Sequence, residues 1–111
     1  MEIITGSGSY TAPPDGSPTY FAQHLWVPDL SVGTYSIPAG GTDDQTPHSE
    51  DEVYVVTAGR ARLVADSGTA DVGPGDVIYV PAGEEHRFED VTSDLALLVV
   101  FAPAYRSRAG G

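Results

Sequence analysis

Short runs of apolar and β-branched residues recur along the chain, and Gly, Pro and Asp residues separate them. The run SVGTYSI (31–37) ends at Pro38 and a Gly-Gly pair, and Ala58-Gly59 is expected to turn one strand into the next. Turn signals recur at about the 8–12-residue spacing typical of an all-β sandwich or barrel, and no segment has sustained helical periodicity. The strands predicted in this way are 19–27, 31–37, 52–57, 60–65, 69–72, 76–80, 86–91 and 95–102.

The last predicted strand, LALLVVFA (95–102), is apolar at both even and odd positions, so both of its faces are expected to be covered. In a chain of 111 residues a second subunit is a natural cover, and we expect a homodimer. The residues expected in the core are Val53, Val55, Leu63, Ile78, Leu97, Val99 and Phe101.

The length of 111 residues predicts one domain with a modest core. Residues 1–18 are rich in Gly, Ser, Thr and Pro and are expected to form a flexible N-terminal arm, followed by a barrel over 19–103 and a polar tail over 104–111. No apolar run approaches the roughly 20 residues of a membrane span, and the first residues lack a signal-peptide layout, so we expect a cytoplasmic protein that does not contact a membrane.

Composition removes several kinds of chemistry. The absence of cysteine excludes disulfides, zinc–thiolate sites, iron–sulfur clusters and a thiol nucleophile, and all five basic residues are Arg, which excludes Schiff-base chemistry on lysine. The formal net charge of −11 argues against a nucleic-acid partner, because a phosphate backbone needs a basic face. A small-molecule ligand or substrate is the expected partner.

The acidic residues are concentrated beside two of the three histidines. Nine of the sixteen acids lie in two short stretches that each carry one histidine: Asp43, Asp44, Glu50, Asp51, Glu52, Glu84, Glu85, Glu89 and Asp90. In the first stretch His48 precedes Glu52 by four residues, and on an extended strand the two would share a face. Barrel closure can bring His86, on a separate strand, to the same point. Two imidazoles and a carboxylate on one side of an ion form a facial triad typical of non-haem Fe(II).

The spacing of these two stretches resembles the cupin superfamily over roughly residues 19–103. The second cupin motif, G-x5-P-x-G-x2-H-x3-N, matches at Gly75, Pro81, Gly83 and His86, with Asp90 in place of Asn. The first, G-x5-H-x-H-x3/4-E-x6-G, matches from His48 onward, and its leading histidine falls on Thr46. The resemblance implies a single-domain, cupin-type antiparallel β-barrel, the double-stranded β-helix or jelly roll.

The resemblance also implies a divalent transition metal held by His48, Glu52 and His86. Fe, Mn, Ni, Co and Zn all suit this donor set, because nitrogen and oxygen ligands choose weakly among them. Cupins with the complete first motif use three histidines and a glutamate, but Thr46 supplies no imidazole. Pro47 restricts Thr46 to extended conformations, so either Gln45 or Thr46 could turn inward. We expect Gln45 to lie near the metal as a fourth ligand or to hold a metal-bound water.

Four further residues are candidates for the pocket wall. On an extended strand His24 would share a face with Tyr20 and Trp26. It could line the pocket, and the alternative is a histidine in the core or at an interface. The other three, for which simple barrel filling is the alternative, are Tyr35, Tyr54 and Phe88.

Three functional hypotheses remain open. The first is a small metal-dependent enzyme of the dioxygenase, isomerase, lyase or cyclase type, as the resemblance implies, with catalytic residues not identified. The second is a non-catalytic module that binds a metal or small ligand, and a metal-free structural barrel is a weaker third. The acidic surroundings favour a neutral or cationic ligand, unless the metal itself takes an anionic group.

Overall fold

Residues 1–108, which the computed structural model describes, form six antiparallel β-strands and contain no helix. The all-β architecture predicted from the sequence is thereby confirmed. Within the same residues no helix is long and apolar enough to cross a membrane. The strands are β1 (Tyr20–Val27), β2 (Leu30–Ile37), β3 (Asp51–Ala65), β4 (Gly68–Val72), β5 (Val77–Val80) and β6 (His86–Ala102).

Two long strands, β3 and β6, run through the whole fold. The sheet order is β1-β2-β6-β3-β4, and β5 pairs with the first half of β3. The first half of β3 therefore lies between β5 and the second half of β6, whereas its second half lies between β4 and the first half of β6. The sheet folds over on itself along these two strands, as in a jelly roll, and its inner surface encloses the core.

The predicted turn at Ala58-Gly59 is wrong, because β3 continues through it. The β3–β6 register shifts between Val56 and Arg62, so this segment is an irregularity of one long strand and not a hairpin. Gly59 still needs its glycine: φ is +82°, and a Cβ there would lie 2.3 Å from the carbonyl oxygen of Asp94. The two strands predicted over 86–91 and 95–102 likewise form the single strand β6.

Side-chain alternation along β3 separates the core from the outer surface. Glu52, Tyr54 and Val56 face inward and are buried, whereas Val53 and Val55 face outward and are half-buried. The placement of these two valines in the core was therefore wrong, and Tyr54 and Val56 take that role. The largest buried apolar side chains are Tyr54, Phe88, Ile37, Leu95, Leu97, Val56 and Val99.

The segment before β1 has specific partners on the outer face of β2. The Gly8 amide donates to Thr34 Oγ1 at 2.8 Å, and the Thr11 amide donates to Ser36 Oγ at 3.1 Å. Thr57 Oγ1 donates to the Gly8 carbonyl at 2.5 Å. These contacts cover one end of the outer sheet face; the flexibility of the arm as a whole stays a prediction. Of the predicted tail, residues 109–111 lie outside the described residues.

Candidate metal site and cavity

Three side chains that could bind a metal converge inside the barrel. Glu52 points inward from the start of β3, and His86 stands at the first position of β6. His48 lies in the segment before β3, so it does not share a strand with Glu52 as the sequence suggested. Glu52 Oε1 lies 3.0 Å from His86 Nε2 and 4.0 Å from His48 Nε2. One donor atom from each residue lies within 4.8 Å of the other two.

The fold of the sheet, and not strand pairing, brings His86 to Glu52. In the β3–β6 register His86 is opposite Ala65, whereas Glu52 is opposite Phe101. The two side chains therefore come from opposite ends of the strand pair and meet across the barrel interior.

The orientation of the His86 ring is set by the backbone. Its Nδ1 lies 2.8 Å from the Glu84 carbonyl, which can only accept, so Nδ1 carries the proton. In the neutral ring Nε2 then presents a lone pair to the barrel interior. Histidine ligands of metals are commonly fixed in this way by a hydrogen bond at the second nitrogen.

Glu52 supplies the observation that tests whether these residues suit a metal. Its side chain is 2% exposed, and Oε1 is the one buried side-chain nitrogen or oxygen in the described residues without a hydrogen-bond partner. Although His86 Nε2 is close, the contact lacks hydrogen-bond geometry. An unpaired buried carboxylate oxygen is costly, and a cation would compensate it. Two atoms at adjacent corners of an octahedral ion with bonds of about 2.1 Å lie roughly 3.0 Å apart, so the Glu52–His86 pair fits a metal, whereas His48 Nε2, at 4.0 Å from Glu52, would have to move inward.

The two histidines have pKa values shifted in opposite directions. Burial lowers the pKa of His48 below its usual 6.5, and the Glu52 carboxylate offsets this only in part. Burial also acts to lower the pKa of His86, but the Glu52 carboxylate and the Glu84 carbonyl outweigh it and the pKa is raised. His48 is therefore the more readily available neutral ligand, whereas a proton competes for Nε2 of His86.

A cavity of about 140 Å³ opens beside His48 and Glu52, whereas His86 lines a separate outer cavity. His48, Glu52, Gln45 and Asp44 contribute polar groups to its wall, and the remaining lining residues are Thr19, Phe21, Tyr35, Tyr54, Val99, Phe101 and Tyr105. The wall thus combines five aromatic rings of Phe and Tyr with a few polar groups. This is the composition of a small-molecule pocket.

Tyr35 and Tyr54 line this cavity as the sequence suggested, but His24 and Phe88 do not. Phe21 is paired with Tyr35, so the odd positions of the first part of β1 face inward, and His24 lies at a bulge on the outer side, 2.7 Å from Thr34 Oγ1. Phe88 is 1% exposed and packs edge-on against Tyr54 in the core.

Comparison with known proteins agrees with this architecture. Residues 33–101, more than half of the chain, match the family model of the cupin domain. The chain belongs to the cupin family. An uncharacterized protein of Streptomyces coelicolor is 47% identical over 83 residues, which are 75% of this chain and 79% of that protein.

Several solved structures share the fold at low sequence identity. KdgF from a Halomonas species has a TM-score of 0.72 at 17% identity, covering 82% of this chain and 85% of that one. A predicted oxalate decarboxylase of Thermotoga maritima has a TM-score of 0.66 at 21% identity, covering 77% and 80%. The DMSP lyase DddQ of Ruegeria pomeroyi has a TM-score of 0.72 at 20% identity, covering 85% of this chain and 52% of that one. These likenesses establish the cupin fold and not an activity.

This cupin departs from the first motif at the position of the leading histidine. Thr46 is exposed and lines a separate outer cavity, whereas Gln45 lines both that cavity and the inner one. Gln45 Oε1 accepts a hydrogen bond from Tyr54 Oη at 2.8 Å and lies 3.4 Å from His48 Nε2. Gln45 is therefore the neighbour that faces the cluster.

The C-terminal segment covers the cavity, which the sequence did not indicate. Tyr105 stacks on Phe101 at a ring distance of 4.8 Å and meets His48 edge-on at 5.5 Å. Glu50, 1% exposed, holds this segment by accepting hydrogen bonds from the amides of Arg106 at 2.9 Å and Arg108 at 3.1 Å. Although burial acts to raise its pKa, the Ser49 hydroxyl and these amides outweigh it and lower the pKa of Glu50. No local sequence motif marks contacts between residues 50 and 106.

Proposed function

We propose that this cupin binds one divalent transition metal through His48, Glu52 and His86, and uses it to act on a small molecule in the adjoining cavity. The observation that carries the proposal is the orphaned, buried Glu52 Oε1 facing two imidazole nitrogens. Fe, Mn, Ni, Co and Zn are compatible with two nitrogens and one oxygen. When bound, such an ion supplies Lewis-acid polarisation of a coordinated oxygen.

The chain's own groups support turnover over passive binding. Burial raises the pKa of Tyr54 well above its usual value, so its hydroxyl keeps its proton beside the site. That hydroxyl lies 3.1 Å from His86 Nε2 and 2.8 Å from Gln45 Oε1, so it can donate a hydrogen bond to an oxygen beside the metal ligands. Tyr35, Phe21 and Phe101 supply aromatic rings to the rest of the wall. A metal-polarised oxygen beside a hydrogen-bond donor suits lyase, isomerase and cyclase chemistry, and an open metal position also suits a dioxygenase.

The cavity restricts the ligand class. A volume of about 140 Å³ admits only a small organic molecule. The carboxylate of Asp44 lies on the wall, and the protein carries a net charge of −11, which disfavours anionic groups away from the metal. A neutral or cationic molecule that contributes an oxygen to the metal fits best.

Metal analysis of protein purified without chelators, followed by titration of the metal-free protein, tests the proposal. We expect close to one equivalent of metal per chain and loss of binding in Glu52→Gln. A panel of small oxygen-containing molecules then separates the two functional classes. Product formation that requires the metal supports an enzyme, whereas binding without product supports a non-catalytic binding module.

We also propose that two copies associate through the outer sheet face. Two rows of residues cross this face without a charged side chain: Val77, Val55 and Leu98 in one, and Tyr79, Val53, Val100 and Val32 in the other. Val77 is 68% and Tyr79 62% exposed. Two strongly acidic copies can meet on these rows without bringing like charges together, and the N-terminal segment already covers the adjacent end of the face.

Sedimentation tests this association. Wild type is expected to form a dimer, and Tyr79→Glu is expected to dissociate it, whereas Thr69→Glu on the exposed strand β4 adds the same charge elsewhere and leaves the dimer intact. A wild-type protein that sediments only as an 11.6 kDa monomer at tens of micromolar contradicts the proposal.

A further inference from the structure

Asp43 is the most connected carboxylate in the vicinity of the site. Its Oδ1 accepts hydrogen bonds from the Tyr35 hydroxyl at 2.6 Å and the Gln45 amide at 3.1 Å. Its Oδ2 accepts from the Phe88 amide at 2.9 Å and from the Gln45 side-chain Nε2 at 2.5 Å. It therefore joins β2, the start of β6 and the segment that carries His48.

The contact with Nε2 decides which end of the Gln45 side chain faces the cluster. An ionised carboxylate only accepts hydrogen bonds, so the amide NH₂ must point toward Asp43. The oxygen Oε1 then points the other way, toward the Tyr54 hydroxyl at 2.8 Å and His48 Nε2 at 3.4 Å. A glutamine amide can rotate by half a turn at little steric cost, and the rotated form would present two N–H donors, which cannot bind a cation.

We infer that Asp43 is a positioning residue that keeps the Gln45 oxygen aimed at the metal held by His48, Glu52 and His86. The leading histidine of the cupin motif would fall on Thr46, the residue after Gln45. Gln45 thereby supplies an oxygen donor in place of that histidine. The inference rests on the proposed metal site. It gives Asp43 a role that its place in an acidic stretch does not suggest.

The Asp43 carboxylate also accepts hydrogen bonds from Phe88 and Tyr35. If its role were purely structural, its replacement would weaken metal binding whether or not Gln45 is present. The neighbouring Asp44 provides a matched control. Asp44 lines the inner cavity, and its conversion to Asn removes the same charge, but its one side-chain hydrogen bond among the described residues comes from Thr19 Oγ1 at 3.3 Å. Comparing the two variants separates orientation of Gln45 from loss of negative charge.

The test is a double-mutant cycle on the affinity of the metal-free protein for Mn²⁺, with thermal unfolding of the metal-free form measured in parallel. Asp43→Asn is expected to weaken Mn²⁺ binding about 10- to 100-fold, the usual range for residues that orient ligands. Asp44→Asn is expected to change it less than about threefold, as for exposed charges. Gln45→Leu is expected to weaken binding to a similar extent, and Asp43→Asn combined with Gln45→Leu to bind no more weakly than Gln45→Leu alone.

Each alternative result is decisive. Equal affinities for Asp43→Asn and Asp44→Asn overturn the inference, as does an Asp43→Asn effect that persists in full on top of Gln45→Leu. If Asp43→Asn does not fold, Gln45→Leu decides: unchanged Mn²⁺ affinity means that there is no oxygen donor to position. Failure of the wild type to bind any of Mn²⁺, Fe²⁺, Ni²⁺, Co²⁺ and Zn²⁺ overturns the proposed metal site and this inference together, whereas the variant results above overturn this inference alone.

Discussion

His48 and His86 reach the same point from two differently built regions. His86 is the first residue of β6: its backbone pairs with Ala65, its ring is fixed by the Glu84 carbonyl, and its side chain is 1% exposed. His48 lies in an irregular segment, and its side chain is 15% exposed. Its carbonyl accepts a hydrogen bond from the Gly83 amide at 2.8 Å, and its ring rests on Phe101 at 4.9 Å.

The difference shows how a site can combine a rigid half with an adjustable half. The sheet fixes Glu52 and His86 through regular backbone pairing, whereas His48 and Gln45 depend on side-chain contacts from several elements. Loss of a ligand from the rigid half should therefore remove the site, and changes in the irregular segment should tune it. The following predictions probe that contrast.

The largest effect is expected from His86→Ala. It removes one of the two closely spaced ligand atoms and should abolish measurable metal binding, whereas His48→Ala should retain weak binding. Both variants should stay folded, because the apolar core does not depend on an ion. They should lose only the stabilisation that bound metal gives the wild type. Calorimetric titration with Mn²⁺ and thermal unfolding measure the two properties, and His24→Ala, on the outer face, serves as the unaffected control. Unfolding of His86→Ala in the absence of metal would show that the site is structural.

The raised pKa of His86 predicts a pH dependence with opposite signs for the two forms of the protein. In the metal-free protein the protonated His86 is stabilised by Glu52, so its contribution to the free energy of unfolding is full below about pH 6.5 and is lost as the pH rises through the raised value. Metal binding needs the unprotonated Nε2, so metal affinity should fall as the pH decreases through the same value. Measuring the free energy of unfolding with and without Mn²⁺ at a series of pH values gives its slope against pH for each form. Parallel slopes for the two forms would contradict competition at His86.

A moderate effect is expected from Glu50→Gln, which weakens the attachment of the C-terminal segment. Because the neutral amide accepts hydrogen bonds from Arg106 and Arg108 less strongly, we expect a loss of about 1–3 kcal/mol in the free energy of unfolding. Metal affinity should change little. Faster proteolysis at residues 103–108 would accompany the change, and Glu89→Gln at an exposed ion pair is the control. Unaltered stability in Glu50→Gln would mean that this buried carboxylate does not hold the segment.

The smallest effect is expected from Thr46→His, although this change restores the leading histidine of the cupin motif. Thr46 is exposed and does not line the inner cavity. The metal affinity of the Thr46→His variant should therefore stay within about threefold of that of the wild type. Gln45→His places an imidazole next to Asp43 and should bind metal more tightly. A tighter site in Thr46→His than in Gln45→His would show that the segment rearranges to bring residue 46 inward.

The sequence predicted the regular half of the site better than the irregular half, for a physical reason. Glycine, proline and apolar alternation report local backbone geometry, so most of the strands and the placement of His86 at the start of one could be anticipated. Strand parity failed for His24, because a bulge and the pairing of Phe21 with Tyr35 set which face is inward. It was also misapplied to His48, because β3 begins only at Asp51.

Long-range contacts left no signal in the sequence. The hydrogen bonds of Asp43 to Phe88 and of Glu50 to Arg106 join residues that are 45 and 56 positions apart. Both acids belong to stretches that, as sequence, look like solvated surface. Only the folded chain distinguishes them from neighbours such as Asp44 and Asp51.

The central claim is that His48, Glu52 and His86 together hold one metal ion, and a crystal structure of the protein grown with Mn²⁺ tests it most directly. Anomalous diffraction should show one peak per chain inside the barrel, within about 2.0–2.3 Å of His48 Nε2, Glu52 Oε1 and His86 Nε2. The Gln45 oxygen should lie on the same side of the ion as His48. Crystals that contain Mn²⁺ only at surface carboxylates, with Glu52 Oε1 still facing the two imidazoles and no ion between them, would contradict the claim.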